Sequence, residues 1–315
     1  MKKRCARLDE LAEGEVITTS KGSQYKVMKK LGQGGYGAVY KVHTLSDPKT
    51  KFAMKIESCH ERNQVLKMEV QVLKQLDTSG GRHFCHIADK GRTENFNFII
   101  MTLVARNLSD LRRDFDGNKF CLPTALRVGR QCLEAIEDLH NIDYLHRDLK
   151  PGNFAIGRLE SHESRKIYML DFGMCRKYRN EKGELRTPRD TANFRGTVRY
   201  APLNCHRNKE LSRKDDLESW FYMLAEITRG KLPWKHLTGK PEVARAKERA
   251  RSDEGSKEFL SGCPEEYKMI LDYIDQIAYV EKPDYDFIYS LLRRVMTILH
   301  ISEDSRYDWE ADNED

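Results

Sequence analysis

The chain has 315 residues, of which 39% are hydrophobic, and a formal net charge of +6. This composition can build a sizeable core, and it excludes collagen, low-complexity disorder and a polytopic membrane protein. A membrane span needs about 20 mostly apolar residues, and apolar runs such as residues 96–103 are far shorter, so we expect no membrane partner.

The first third of the chain is rich in strand patterns. Residues 25–31, 38–42 and 51–57 alternate in the manner of β-strands, and a turn separates the last two. Between residues 65 and 76, apolar side chains recur at spacings of three and four, which predicts one buried face of a helix. A further strand is predicted at 97–103. Residues 1–24 are interpreted as an N-terminal extension.

The remainder of the chain is mostly helical in its periodicity. The clearest helices are predicted at 125–141 and 216–228, and the second is apolar on most faces, so we expect it to be deeply buried. The predicted strands come first in the chain and the predicted helices second, with the boundary near residues 102–106. This order predicts a small β-rich lobe packed on a larger helical lobe. Residues 301–315 form an acidic tail, which we expect to be mobile. Without that tail the body is strongly basic, which favours anionic partners, although a solvated charged surface is the simpler reading.

The eight cysteines are scattered and none forms a CxxC pair. Because no secretory signal follows Met1, we expect reduced thiols in a cytoplasmic protein, with nuclear residence left open. Two short clusters, Cys59-His60 and residues 83–86, contain cysteine and histidine. They lack the paired spacing of a zinc site, so we expect no zinc.

A glycine-rich motif lies between the first two predicted strands. Its glycines are Gly32, Gly34, Gly35 and Gly37. A dinucleotide-binding fold needs a helix after such glycines, and a Walker loop needs Gly-Lys-Ser/Thr, but a strand pattern follows here. The motif is therefore predicted to be a hairpin tip, whose backbone N–H groups can approach phosphates because side chains are absent.

Lys55 and Glu69 form the next candidate pair. Lys55 lies on the third predicted strand, and its simplest interpretation is a surface lysine. Glu69, however, lies on the apolar face of the predicted helix, where a carboxylate is costly unless it is paired. We therefore expect Glu69 to pair with Lys55 and to hold its ammonium ready for phosphate oxygens.

Residues 146–153 carry the strongest signal in the chain. Pro151 and Gly152 force a loop, so that its polar groups converge. Asp148 can accept a proton, Lys150 can neutralise phosphate charge, and Asn153 offers an oxygen to a hard cation.

An aspartate follows the apolar run 167–170. Asp171 begins the tripeptide Asp-Phe-Gly, and an aspartate at the end of a strand can bind Mg²⁺. The tripeptide alone is weak support, since such turns occur by chance. The order of the glycine motif, Lys55, Glu69, Asp148 with Asn153, and Asp171 makes chance improbable.

With these motifs the sequence resembles a eukaryotic protein kinase over about residues 25–300. The usual Ala-Pro-Glu is absent; residues 196–206 instead resemble the casein kinase 1 superfamily, as do residues 215–219. Segments 67–70, 107–113, 194–200 and 282–285 resemble the tau-tubulin kinase branch more closely. Two positions depart from the pattern: Gly152 replaces a Ser or Asp, and Pro202 replaces a Ser, which puts fine substrate docking in doubt.

The resemblance implies an α+β bilobed protein kinase fold. The kinase domain would span residues 25–300, with an N-lobe at 25–101, a hinge at 102–106 and a C-lobe at 107–300. We expect a monomer.

The resemblance also implies ATP and Mg²⁺ as cofactors. Lys55, paired with Glu69, would contact the α- and β-phosphates, and Asp148 would take the proton of the substrate hydroxyl, with Lys150 near the γ-phosphate. Asn153 and Asp171 would hold Mg²⁺. The glycine hairpin would cover the phosphates, and the base would be enclosed by Leu31, Val39, Ala53, Met101, Thr102, Leu103 and Ile156.

Lys150 together with Thr197 resembles the serine/threonine class, so the implied substrates are protein serine and threonine hydroxyls. In relatives of casein kinase 1 an arginine placed like Arg199 helps bind an anion, which favours acidic or already phosphorylated substrates. Guanidinium suits phosphate because it donates two parallel hydrogen bonds. A solvated basic loop is the alternative for Arg199. Arg147 either receives a phosphate from the segment that holds Thr187 and Thr191 or is structural.

Other function classes remain as alternatives. A pseudokinase scaffold would be expected to lack Lys55, Asp148 or Asp171, yet all three are present. A nucleic-acid binder is not expected, because no recognition helix, zinc finger or aromatic RNA-binding signature is visible. A dinucleotide oxidoreductase is disfavoured by the hairpin context of the glycines.

Overall fold

The computed structural model describes residues 10–34, 37–60 and 64–310. Its strands are β1 (Val16–Thr18), β2 (Gln24–Gly34), β3 (Gly37–Thr44), β4 (Lys51–Ser58), β5 (Ile87–Arg92), β6 (Phe96–Thr102), β7 (Tyr144–Leu145), β8 (Phe154–Ile156), β9 (Ile167–Met169) and β10 (Arg176–Lys177). Its α-helices are α1 (Val65–Thr78), α2 (Leu108–Leu111), α3 (Leu122–Asn141), α4 (Leu203–His206), α5 (Arg213–Arg229), α6 (Lys240–Arg249), α7 (Asp253–Phe259), α8 (Glu265–Gln276) and α9 (Tyr285–Ile298). Single 3₁₀ turns lie at Arg112–Asp114, Asp116–Asn118, Pro151–Asn153, Leu159–Ser161 and Phe172–Met174.

The N-terminal lobe is one antiparallel sheet in the order β1-β2-β3-β4-β6-β5. Alternate residues such as Tyr40, Met54 and Ile100 form a core on one face of the sheet. Their neighbours Val39 and Ala53 belong to the cluster on the other face, because successive side chains of a strand point to opposite faces. The N-terminal extension reaches into this lobe, since β1 pairs with the start of β2.

Helix α1 packs across the sheet where the spacing predicts it. Its buried side chains are Leu66, Glu69, Val72, Leu73 and Leu76. The N-cap residue Gln64 makes no side-chain hydrogen bond to the helix. Instead the carboxylate of Glu57, on β4, accepts the backbone N–H groups of Val65 and Leu66 at 2.7 and 3.2 Å. The first turn of α1 is therefore held by the sheet.

The C-terminal lobe is built around α3 and α5. The predicted helices 125–141 and 216–228 lie inside these two elements, and α5 is buried along nearly its whole length. Trp220 of α5 donates to the Gly129 carbonyl of α3 at 2.9 Å. A capping box between Ser212 and Asp215 begins α5, as expected where the first backbone N–H groups lack partners. Two lobes of this kind confirm the predicted α+β bilobed architecture.

The expectation of a mobile acidic tail is wrong for residues 303–310. Arg127 of α3 is fully buried and donates to the carbonyl oxygens of Glu303, Ser305 and Arg306. Asp308 accepts the Cys121 N–H at 2.6 Å, and the indole of Trp309 donates to a loop carbonyl. The tail satisfies donors at the start of α3 that would otherwise lack partners, which fixes it to the C-terminal lobe. Residues 311–315 lie outside the described residues.

The described helices include none that is both long and apolar enough to cross a bilayer. Across residues 10–34, 37–60 and 64–310, three or more His, Cys, Asp or Glu side chains nowhere gather in a way that could hold a metal ion. The cysteines described there are all free thiols.

Candidate active site

A cavity of about 530 Å³ lies between the two lobes. Its roof is the hairpin of β2 and β3, where Gly34 pairs with Gly37. Both glycines and Gly32 line the cavity, whereas Gly35 lies outside the described residues. A Cβ at Gly37 would overlap the carbonyl oxygen of Ile56 on β4, so this position requires glycine. The predicted hairpin is present up to the pair of Gly34 and Gly37, and residues 35–36 between them lie outside the described residues.

The inner walls of the cavity are mostly apolar. They include the predicted residues Leu31, Val39, Ala53, Met101, Thr102 and Leu103. Ile156 does not line the cavity: it is buried in the core, and Ala155 and Leu170 take its place. The prediction for Ile156 is wrong by one residue. Along β8 the side chain of Ala155 faces the cavity and those of Phe154 and Ile156 face the core, because successive side chains of a strand point to opposite faces.

The connection after β6 leaves backbone groups free at the edge of the cavity. β6 ends at Thr102, and Ala105 donates its N–H to the Ile156 carbonyl at 2.9 Å. Between them, Leu103 and Val104 make none of the backbone hydrogen bonds recorded for the described residues. Their N–H and C=O groups can therefore pair with the edge of a planar base.

Lys55, Glu69 and Asp171 meet at the rear of the cavity. The Lys55 ammonium lies 2.5 Å from Glu69 Oε2 and 3.4 Å from Asp171 Oδ1. Burial acts to lower the pKa of Lys55, but the two carboxylates outweigh it and raise that pKa, so the ammonium stays charged. Burial likewise opposes ionisation of Asp171, and the Lys55 ammonium still lowers its pKa. The site thus holds a fixed cation beside an ionised carboxylate.

Asp171 and Asn153 present oxygen atoms on the C-terminal side of the cavity. Asp171 has a left-handed backbone, with φ of +63°, an uncommon conformation for a non-glycine residue. Asn153 donates its side-chain N–H to the Asp148 carbonyl at 2.8 Å, and its amide oxygen takes part in none of the hydrogen bonds recorded for the described chain. A carboxylate and an amide oxygen are ligands that Mg²⁺ accepts.

Asp148 is held by the segment that follows Asp171 in the chain. Its Oδ1 accepts both the N–H and the hydroxyl of Thr197 at 2.8 Å, and its Oδ2 lies 2.7 Å from the Lys150 ammonium. Lys150 also donates to the Thr197 hydroxyl at 3.1 Å. Gly196 has φ of +89°, and a Cβ there would lie 2.7 Å from the Arg147 carbonyl oxygen. This glycine lets the two segments touch.

Asp216 holds the start of the loop 146–153, which we call the catalytic loop. The sequence did not predict this role. Its carboxylate accepts the backbone N–H groups of His146 and Arg147 at 2.7 and 2.9 Å. It also lies 2.9 Å from His140 Nε2. Burial opposes its ionisation, yet the hydrogen bond and charge of His140 lower its pKa. Arg147, with φ of +68°, is held in a strained backbone by these bonds.

The two arginines of the predicted anion contacts lie apart from the cavity lining. Arg199 is 39% exposed; its guanidinium lies 3.4 Å from Glu226 Oε1 and donates to the Lys235 carbonyl at 3.1 Å. Arg147 donates to the Met174 carbonyl at 2.8 Å. Burial, followed by the neighbouring arginines 195 and 176, lowers the pKa of Arg147 to about 10.

A covered cavity, a lysine–glutamate pair and two aspartates are the features that the resemblance to protein kinases implies. The family profile described as "Protein kinase domain" matches residues 25–296. The chain belongs to the protein kinase family. Its prediction as a kinase with the bilobed kinase fold is therefore confirmed.

Similar proteins from other organisms show which class of protein kinase this is. The chain is 37% identical over 296 residues to the serine/threonine-protein kinase spe-6 of Caenorhabditis elegans, covering 92% of this chain and 76% of that protein. It is 36% identical over 288 residues to a probable serine/threonine-protein kinase of Dictyostelium discoideum, covering 91% and 57%. Casein kinase I homolog 1 of Schizosaccharomyces pombe is 32% identical over 292 residues, covering 91% and 64%.

The chain therefore spans between 57% and 76% of the length of these three relatives. They confirm the predicted serine/threonine kinase class. The similarity to casein kinase I homolog 1 is consistent with the predicted casein kinase 1 superfamily. The resemblance to the tau-tubulin kinase branch stays a prediction.

Proposed function

We propose that this protein kinase transfers the γ-phosphoryl group of ATP to serine and threonine hydroxyls of proteins. One observation carries the proposal: Lys55, Glu69 and Asp171 are in contact at the cavity, and Asn153, which also lines the cavity, donates to the backbone carbonyl of Asp148. A cavity of about 530 Å³ lies within the usual size range of ligand pockets.

The residues present fit a magnesium nucleotide. Lys55 would hold the α- and β-phosphates, and the backbone of the glycine hairpin would lie over them. Asn153 and Asp171 would bind Mg²⁺, because both offer hard oxygen ligands. Bound Mg²⁺ neutralises charge that develops on the phosphate oxygens.

Asp148 and Lys150 would act on the protein substrate and the transferred group. Asp148 would accept the proton of the attacking hydroxyl, and the contacts from Thr197 orient its carboxylate for that step. Lys150 would place its ammonium beside the γ-phosphate, where it would stabilise the negative charge on the oxygens of the transferred phosphoryl group. Lys150 and Thr197 thus connect the reacting group with the segment that a substrate would touch.

Radiolabelled phosphate transfer to a mixture of serine peptides tests the proposal. The wild-type chain should label the peptides, and Asp148→Asn should lower kcat by about 10²–10⁴-fold, the usual contribution of a general base. Asp286→Asn, an exposed aspartate on α9, is the matched control and should leave kcat unchanged. Nucleotide binding without any transfer by the wild type would instead support the pseudokinase alternative.

We further propose that the enzyme favours acidic or already phosphorylated substrates, with Arg199 contacting the anion. Arg199 follows Thr197 by two residues, and its guanidinium is part exposed while Glu226 and the Lys235 carbonyl hold it in place. Guanidinium N–H groups not used by these partners can bind a phosphate or carboxylate. Rates on acidic and neutral peptides should differ in the wild type and converge in Arg199→Gln. Equal rates in the wild type would contradict this preference.

A further inference from the structure

Lys247, on α6, carries a fully buried ammonium group. It donates to the carbonyl oxygens of Val198 and Ala201 at 2.9 and 2.6 Å. Its third neighbour is His206 Nε2, at 3.1 Å. An ammonium has three N–H donors: the two carbonyls accept two of them, and His206 Nε2 accepts the third in the tautomer with its proton on Nδ1.

The charge of Lys247 has little electrostatic compensation. No carboxylate oxygen of the described residues lies within ion-pairing distance of the ammonium, which rests against the rings of Tyr222 and Trp234 at 4.9 and 5.6 Å. Burial lowers its pKa to about 7; Arg251 acts in the same direction and Glu218 opposes it. An apolar residue here would avoid the cost of burying a charge, so stability alone does not explain the lysine.

The two carbonyls belong to residues 196–203, which we name the docking loop. At one end Thr197 is bonded to Asp148 and Lys150. In the middle, side chains hold the backbone: Lys247 binds the carbonyls of residues 198 and 201, and the Trp234 indole donates to that of residue 199 at 2.8 Å. The lysine therefore spans the turn that begins beside the catalytic aspartate.

We propose that Lys247 is a positioning residue for the protein substrate. By holding both sides of the docking loop, it keeps Thr197 against Asp148 and fixes the loop surface on which a peptide lies. The inference rests on the proposed kinase function and extends it to a residue outside the nucleotide cavity. Because Lys247 contacts the docking loop, His206 and two aromatic rings but no residue that lines the nucleotide cavity, its loss should affect the peptide far more than ATP.

The test replaces Lys247 by methionine, which keeps the length of the side chain and removes the donors. In Lys247→Met, kcat/KM for the peptide should fall by about 10- to 100-fold, mainly through KM, while KM for ATP stays within about twofold. Amide hydrogen exchange should become faster in residues 196–203 and remain unchanged in α1. Lys257→Met, an exposed lysine on α7, is the matched control and should behave as wild type.

Two further variants keep the inference testable if Lys247→Met does not fold. Lys247→Arg retains charge and donors and should recover most of the peptide KM. Trp234→Phe removes one bond to the docking loop, and the peptide KM should rise by a smaller factor of about three to ten. Unchanged peptide KM in Trp234→Phe and in Lys247→Met, or equal increases in KM for peptide and ATP, would overturn the inference. An inactive wild type would refute the kinase function itself, and this inference with it.

Discussion

Glu57 offers a direct test of how the active site keeps its geometry. It lies two residues after Lys55 on β4, so one strand holds α1 at two places: Glu57 at its first turn and Lys55 through Glu69. Both N–H groups at the first turn, those of Val65 and Leu66, bond to the same oxygen, Oε1. The other oxygen, Oε2, is buried without a hydrogen-bond partner.

Because only Oε1 accepts hydrogen bonds, two substitutions can separate the effect of this acceptor from the effect of the negative charge of Glu57. Glu57→Ala leaves two N–H groups without an acceptor, at about 1–3 kcal/mol for each buried group, so the free energy of unfolding should fall by about 2–6 kcal/mol. Glu57→Gln keeps an oxygen in the place of Oε1 and puts its amide nitrogen where Oε2 made no bond. Burial raises the pKa of Glu57, so the charge is itself costly, and the glutamine variant should lose at most about 1 kcal/mol.

Urea unfolding measures the stability change, and phosphate transfer at varied ATP concentration measures the effect on the site. Because a loosened first turn moves Glu69 relative to Lys55, Glu57→Ala should lower kcat/KM for ATP by about tenfold, while Glu57→Gln stays near wild type. Leu76→Ala, at the far end of α1, is the control of similar instability and should leave the KM for ATP unchanged. Equal damage in the glutamine and alanine variants, or an equal loss of ATP efficiency in Leu76→Ala, would refute the reasoning.

Three further outcomes follow from the contacts. Deleting residues 303–315 removes the three carbonyl partners of the buried Arg127 guanidinium in the tail and leaves it only that of Pro123, so urea unfolding should show a loss of about 3–5 kcal/mol; an unchanged midpoint would contradict the docked tail. Burial raises the pKa of Asp215 to about 7, above its unfolded value of 3.8, so its contribution to stability is lost as pH rises between these values. In thermal melts, the loss of Tm caused by Asp215→Asn should therefore be smaller at pH 8 than at pH 5. The same loss of Tm at both pH values would contradict a raised pKa for Asp215. Gly37→Ala must push the hairpin away from Ile56, so KM for ATP should rise about tenfold with peptide KM unchanged; unaltered ATP binding would show that the hairpin yields without cost.

Local spacing was sufficient to predict much of the site. The paired lysine and glutamate followed from the cost of a lone carboxylate on an apolar helix face, and the loop of Asp148 followed from its Pro-Gly turn. Ile156 was misplaced because the sequence does not show which face of the short strand β8 meets the cavity. The fold turns Ala155 to the cavity, and the alternation of side chains then places Ile156 in the core.

Long-range anchors were harder to predict from the sequence. Asp216 stands in the first turn of α5, where acidic residues are usually solvated, and only the fold brings the catalytic loop onto it. The tail looked mobile because seven acids dominate its composition. The signal against mobility was the aromatic pair Tyr307 and Trp309, whose rings stack 4.6 Å apart against Arg127 and the C-terminal lobe.

Helix α5 relates the catalytic loop to the docking loop. Its carboxylates face both: Asp216 binds the backbone of residues 146 and 147, Glu218 accepts the Leu203 N–H at 2.9 Å, and Glu226 accepts the hydroxyl of Tyr200. Because α5 is buried along nearly its whole length, these attachment points cannot shift independently. The proposed proton acceptor Asp148 and the docking loop are therefore held at a fixed separation by one rigid helix. Under the proposed function, nucleotide binding would depend on the sheet and α1, and peptide binding on α5 and α6. Substitutions at Glu57 and at Lys247 should therefore act on different Michaelis constants, the first on that for ATP and the second on that for the peptide.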